Sequence, residues 1–294
     1  MCVIVEEKIQ GLSFWSGKVT VAPLSGGMTN ENFLVSDSDN RFVVRLGDDI
    51  PIHHVLRSNE LSASEAAHAA GISPAVRYHE PGILVLDYIE SKTLNAEDIR
   101  NPAILEKIVP MIKSCHQSIP KYLKGPAQIF WVFHVLRDYA RSLEEADSPY
   151  VKNLPEYLRI TSELEALSGP YDIVFGHNDL LPANFLDDGE RLWLIDWDFA
   201  GFNTPLFDLG GMASNSQLSE KQQRYVLETY FDAAVSENLW KRYEATKVAS
   251  LLREVMWSMV SESYSTLDFD YRTYTQDSLT AFEAAYVEFA RMFK

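Results

Sequence analysis

The chain has 294 residues, 46% of them hydrophobic, and a formal net charge of −16, which allows one large domain or two lobes around packed cores. Nucleic-acid affinity comes largely from Lys and Arg displacing counterions around phosphates, so this acidic balance argues against a nucleic-acid partner. Only Cys2 and Cys115 are present, too few for a disulfide framework or a cysteine metal site, and a reducing cytoplasm fits best.

The start MCVIVEEKIQGLSFW lacks a basic segment and reaches Glu6 and Glu7 after a short apolar run, so no secretory signal is expected. No segment approaches the roughly 20 apolar residues that span a bilayer. Phe33 to Val35 and Arg41 to Leu46 are short apolar runs on either side of Ser36-Asp37-Ser38-Asp39-Asn40, the pattern of a hairpin. A helix is predicted next, capped by Ser58, filled by Leu61 to Ala70 and ended by Gly71 and Pro74. Ile83 to Leu86 reads as a buried strand.

Past Glu90 the pattern turns helical. Asn101-Pro102 offers a cap and first position for the stripe Ile104, Leu105, Ile108, Ile112 and Cys115, within which Pro110 is expected to kink or split the helix. Helices are also predicted from Ser219 to Val235, opened by a Ser219/Gln222 capping box, and over most of Tyr243 to Ser261. The chain therefore divides near residues 87–91 into a small sheet-based lobe (1–90) and a larger helical lobe (91–294).

Val174 to Leu186 carries the chemistry. Phosphoryl transfer needs a carboxylate to orient and deprotonate an incoming hydroxyl, and oxygen ligands for Mg²⁺ on the triphosphate. Asp179, followed five residues later by Asn184, can supply both from one loop, at the spacing of the protein-kinase catalytic loop. His177 reads as a hydrogen-bonded structural residue. Twelve residues after Asn184, the strand Leu192 to Ile195 ends in Asp196-Trp197-Asp198. If the extended form continued, Asp196 and Asp198 would share one face and bind one or two hard cations.

With these segments the chain resembles the choline/ethanolamine kinase family, a branch of the protein-kinase-like superfamily that also holds aminoglycoside phosphotransferases. The likeness runs along nearly the whole chain. It implies an α+β bilobal fold, with a small antiparallel-sheet N-terminal lobe carrying one main helix and a larger, mainly helical C-terminal lobe. ATP and Mg²⁺ are the implied cofactors, with Asn184, Asp196 and Asp198 as metal ligands. Ser25-Gly26-Gly27-Met28-Thr29-Asn30-Glu31-Asn32 is similar to the family's nucleotide loop, with Ser25, Gly27, Thr29, Asn30 and Asn32 on the nucleotide side. Arg45 would contact ATP phosphates, with Glu60 as its orienting partner and Glu65 the weaker alternative. Asp87 to Ile89 resembles the hinge beside adenine, and Asp208 would brace the catalytic loop.

The implied acceptor is a small, cationic alcohol. Aromatic faces recognise a quaternary ammonium, which makes Trp257, Tyr264, Tyr271 and Tyr274 candidates beside Asp179, Trp257 foremost. Many choline kinases carry a Glu-Trp pair near the acceptor where this chain has Asn215-Ser216. Choline, ethanolamine and other amino alcohols therefore stay open, as do an aminoglycoside or other small-molecule O-phosphotransferase and a nucleotide-binding pseudokinase.

Overall fold

The computed structural model describes residues 3–24, 30–267 and 269–293. Helix α1 (Val3–Gln10) precedes strands β1 (Thr20–Leu24), β2 (Glu31–Ser36) and β3 (Arg41–Leu46), helix α2 (Arg57–Ala69), and strands β4 (Val76–Glu80) and β5 (Ile83–Asp87). The strands form an antiparallel sheet in the order β1-β2-β3-β5-β4. Successive strand side chains face opposite ways. Phe42 and Val44 of β3 therefore join Phe33, Val35, Ile83, Val85 and Ile9 in a small core, while Val43 and Arg45 turn to the other face, together with Asn32, the cross-strand partner of Arg45.

The rest of the chain is mainly helical: β6 (Lys92–Thr93), α3 (Ala96–Ile99), α4 (Pro102–Ser118), α5 (Val132–Glu145), α6 (Leu154–Ser168), β7 (Val174–Gly176), β8 (Phe185–Asp187), β9 (Leu192–Leu194), β10 (Gly201–Asn203), α7 (Pro205–Asn215), α8 (Glu220–Phe231), α9 (Glu237–Tyr264) and α10 (Tyr271–Phe293). Short antiparallel pairings, β7 with β10 and β8 with β6 and β9, hold the loops between them. Helix α2 packs toward this part: Ala63, Ala66 and Ala67 share a buried cluster with Leu105, Ile108 and Ile112 of α4. No described helix is long and apolar enough to cross a membrane.

Four local expectations are corrected. Ser58 is not the cap of α2. The helix opens after Leu56, and the Asp49 carboxylate accepts the Arg57 backbone N–H at 2.7 Å, doing from a distance what a cap does locally. Pro110 does not split α4, which runs unbroken past it. The proline ring is exposed, so water can reach the carbonyl that it leaves without an N–H partner. Helix α8 ends at Phe231, short of Val235, because Asp232 turns left-handed with φ 53°. Extended backbone does not continue to Asp198 either: β9 stops at Leu194 and Asp196 has φ 71°. Gly71, with φ 76°, ends α2 as expected, in a conformation glycine adopts without strain.

Candidate active site

The loop between β7 and β8 carries Asp179 and is held from beneath. Asp208 of α7 accepts the backbone N–H groups of His177 at 2.8 Å and Asn178 at 2.7 Å. It is also met by His116 of α4, whose Nε2 lies 2.9 Å from Oδ2 and whose Nδ1 meets the Tyr230 hydroxyl at 2.7 Å. Burial works against the Asp208 charge, but His116, His177 and the loop amides outweigh it and hold its pKa below the usual carboxylate range. Asn178, at φ 65°, ties the loop to the Phe199 and Gly201 carbonyls at 2.9 and 3.1 Å. His177 is fully buried and bonds the Ile195 carbonyl at 2.9 Å, in keeping with a structural role.

Asn184 sits at the end of this loop and donates its Nδ2 to the Asp179 carbonyl at 2.8 Å, leaving its side-chain oxygen for another partner. The Asp179 carboxyl lies half-buried on the cleft floor, and no described residue donates a hydrogen bond to it. Desolvation raises its pKa to about 8; Arg253 opposes the rise, while Glu254, Asp196 and Asp198 add to it.

Arg45 reaches from the sheet to the segment after β9. Its Nη2 donates to Asp196 Oδ1 at 2.8 Å and Asp198 Oδ1 at 3.1 Å, so both acids face one guanidinium despite the break in the strand. Its Nε lies 3.0 Å from Glu60 Oε1, an ion pair whose atoms are misaligned for a hydrogen bond. Burial disfavours the Arg45 charge, yet Asp196, then Glu60 and Asp198, raise its pKa. Glu65 points to solvent, which leaves Glu60 as the partner. Burial pushes the Glu60 carboxyl up to about 7, with Arg45 and Arg57 opposing.

Arg57 was not anticipated. From the first turn of α2 its Nη1 bridges Glu60 Oε2 at 2.8 Å and Asp198 Oδ1 at 2.9 Å. Asp198 Oδ2 accepts from Asn30 Nδ2 at 3.1 Å. Asp198 is thus engaged by Arg45, Arg57 and Asn30, the part of an internal counter-charge, whereas among the described residues Asp196 has only Oδ1 engaged. The remaining oxygens of Asp196 and Asn184 are hard donors of the type Mg²⁺ takes, and that ion needs only one or two protein ligands beside phosphates and water. The residues fit the ion.

A cavity of about 300 Å³ opens above them, lined by Asn184, Asp196, Arg45, Asn32 and the hinge residues Asp87 to Ile89. The Asp87 carboxylate is taken by Arg77, at 2.7 Å to each oxygen, so its own contribution to the cavity is backbone. Ser25, Gly27 and Thr29 lie outside the described residues. A second cavity, of about 320 Å³, lies by His79 and Gly82 on the other side of Arg45 and Glu60 and meets neither Asn184 nor Asp196.

The aromatic candidates come together in part. Trp257, Tyr264 and Tyr271 line a pocket of about 230 Å³ with Asp48, Asp49 and His53. Asp179 is not among its walls. It lines a cavity of about 30 Å³ with Arg253, Glu254 and Asn215, which places the Asn215 departure beside the Asp179 loop. Tyr274 joins the two: its ring is 6.1 Å from that of Trp257, and its hydroxyl donates to Glu254 Oε1 at 2.6 Å. Tyr264 lies outermost, 42% exposed. Arg57, His116, Arg253 and Glu254 are the site residues that sequence reasoning missed as individual contributors. Their partners lie far away in the chain, Arg57 and Asp198 being 141 residues apart.

The family model for choline/ethanolamine kinase matches residues 21–229. The LicA protein of Haemophilus influenzae is 26% identical over 255 residues, covering 83% of this chain and 94% of that protein. A probable ethanolamine kinase of Arabidopsis thaliana is 27% identical over 288 residues, 87% of this chain and 76% of that one. Among solved structures, a choline/ethanolamine kinase family protein of Mesorhizobium loti superposes with a TM-score of 0.78 at 26% identity, over 98% of this chain and 96% of its own.

Proposed function

This chain belongs to the choline/ethanolamine kinase family, with the bilobal protein-kinase-like fold of that group, and from that premise we propose how its residues pass the γ-phosphoryl group of ATP to the hydroxyl of choline or ethanolamine. The observation that carries the reading is the convergence of Arg45, Asp196 and the Asp179–Asn184 loop on one cleft.

Residues 1–90 form the nucleotide lobe and 91–294 the catalytic and acceptor lobe. Arg45, oriented by Glu60, holds phosphate oxygens. Asn184 and Asp196 hold Mg²⁺, which when bound offsets charge on the phosphates. Asp198 keeps Arg45 and Arg57 in register. Asp179 takes up the hydrogen of the acceptor hydroxyl as the oxygen attacks, and its desolvated setting makes it a better base than an exposed aspartate. The acceptor's cation lies toward Glu254, Tyr274 and Trp257, where carboxylate and aromatic faces both favour positive charge. The cytoplasm, which supplies ATP, is the proposed setting.

The test is ADP release with choline, ethanolamine, thiamine and aminoglycosides as acceptors, for the wild type and D179N. Turnover is expected with one or both amino alcohols, and D179N should bind Mg·ATP yet lose at least about 1,000-fold in kcat. Turnover confined to the other acceptors would overturn the substrate, and an active D179N the mechanism.

A further inference from the structure

Arg253 and Trp257 stand four residues apart on α9, so their side chains leave the same face of the helix. Each is only 3% exposed. Arg253 donates Nη1 to Glu254 Oε2 at 3.0 Å and interacts with the Tyr139 hydroxyl, whereas among the described residues its Nε and Nη2, and the Trp257 Nε1, meet no well-aligned hydrogen-bond partner. A buried donor left unmade costs about 1–3 kcal/mol, more when charged. Orphans of this kind in a native fold call for a group that binds them. The Phe199 and Phe130 rings, 4.3 and 5.5 Å from the guanidinium carbon, pack over the guanidinium and satisfy none of these N–H groups. Packing alone therefore does not account for a guanidinium here; leucine or methionine would fill the space without the desolvation cost.

Arg253 is also a close neighbour of the catalytic carboxyl. Among the surrounding charges it acts most strongly on Asp179, and the two share the cavity of about 30 Å³ with Glu254 and Asn215. That is room enough for a hydroxyl group.

We propose that Arg253 is an acceptor-binding residue, one of whose N–H groups donates to the oxygen of the attacking hydroxyl while that hydroxyl donates its hydrogen to Asp179. The oxygen is then fixed from two sides, with a lone pair left to meet phosphorus. In the transfer the O–H proton passes to Asp179 and the oxygen bonds to the γ-phosphorus. The bond from that phosphorus to the β–γ bridging oxygen breaks, and its electron pair leaves with ADP. Negative charge that develops on the attacking oxygen as its proton departs lies against the guanidinium, where a fixed donor stabilises it most. This rests on the amino-alcohol kinase reading and adds a determinant within it: the hydroxyl end of the acceptor is recognised by a charged donor as well as by a base.

The test compares the wild type with R253M and R253K, measuring steady-state constants for choline and ethanolamine beside the dissociation constant of Mg·ATP. R253M should lose about 100-fold in kcat/KM for the acceptor, chiefly in kcat, with Mg·ATP binding within about two-fold. R253K keeps the charge without the planar fork and should recover about ten-fold of that loss. If methionine prevents folding, R253K decides alone, because it too must lose acceptor efficiency while binding Mg·ATP normally. Acceptor constants within about three-fold of wild type in a folded variant, or losses shared equally by Mg·ATP binding, overturn the proposal. A wild-type chain inactive toward both amino alcohols overturns the substrate reading and this inference together; an active wild type with an indifferent variant overturns the inference alone.

Discussion

His53 lies in the connection from β3 to α2 with its ring buried against α5 and α9. There Nδ1 meets the Tyr139 hydroxyl at 3.3 Å and Nε2 meets Ser261 Oγ at 3.0 Å. Burial, then the nearby charges of Arg253 and His54, push its pKa down from 6.5 to about 3. A histidine depressed in this way stabilises the fold fully above its unfolded pKa and loses that contribution as pH falls toward the folded value. The window therefore runs downward from pH 6.5 to about 3. At ~1.4 kcal/mol per pH unit, about 2 kcal/mol should be lost between about pH 6.5 and 5. With an unfolding entropy of roughly 2.1 cal/mol/K per residue, that loss is about 3 °C in Tm for a chain of this length. In H53Q an amide that does not titrate replaces the ring and can still hydrogen-bond. Other titrating groups, such as His177 with its own burial-lowered pKa, are common to both chains and cancel in the difference. Scanning calorimetry should therefore show wild-type and variant Tm running parallel above about pH 7, then the wild type falling about 3 °C further by about pH 5. Curves that stay parallel down to that pH would refute the claim that His53 is held neutral by its surroundings.

Arg57→Met should leave Glu60 and Asp198 to share Arg45, lowering stability by about 3 kcal/mol, or roughly 5 °C in Tm, and raising the KM for Mg·ATP; an unchanged Tm by calorimetry would show that its two carboxylate contacts contribute nothing. Trp257→Phe keeps an aromatic face but a weaker one, so the acceptor KM should rise about five-fold with a smaller change in kcat. Steady-state kinetics that leave the acceptor KM unmoved would place the cation elsewhere than against Trp257.

What was legible in the sequence was what a short stretch of chain decides for itself. The hairpin from Glu31 to Leu46, the left-handed Gly71 and the Ser219/Gln222 capping box each depend on a few neighbouring residues, and each is present. The expectations that failed gave a local residue a job that a distant one performs, assumed that local regularity would persist, or, at Pro110, expected a break in a helix that runs through it. Asp49 takes the place assigned to Ser58. Asp196 and Asp198 reach a common partner because Arg45 arrives from another strand, and no strand rule between them is needed.

The same distinction bears on the two ends of the site. Arg45, Glu60 and Asp196 are charges that must meet, and a buried guanidinium surrounded by carboxylates admits few arrangements, so a motif-level reading anticipated that these three would meet, as they do. An aromatic side chain satisfies the same hydrophobic demand whether it lines a pocket or fills a core, and sequence cannot tell the two apart. Trp257 and Tyr271 do both, forming pocket wall and buried cluster together, while Tyr274, which links them to Glu254 and hence to the cavity of Asp179, has the connecting position. Under the proposed function, acceptor selectivity would depend less on how many aromatic rings the chain carries than on Glu254, whose two oxygens are divided between the Tyr274 hydroxyl and Arg253. A carboxylate held by two donors is fixed in position, which would suit it to orient a compact cation whose hydroxyl lies against Asp179 as proposed.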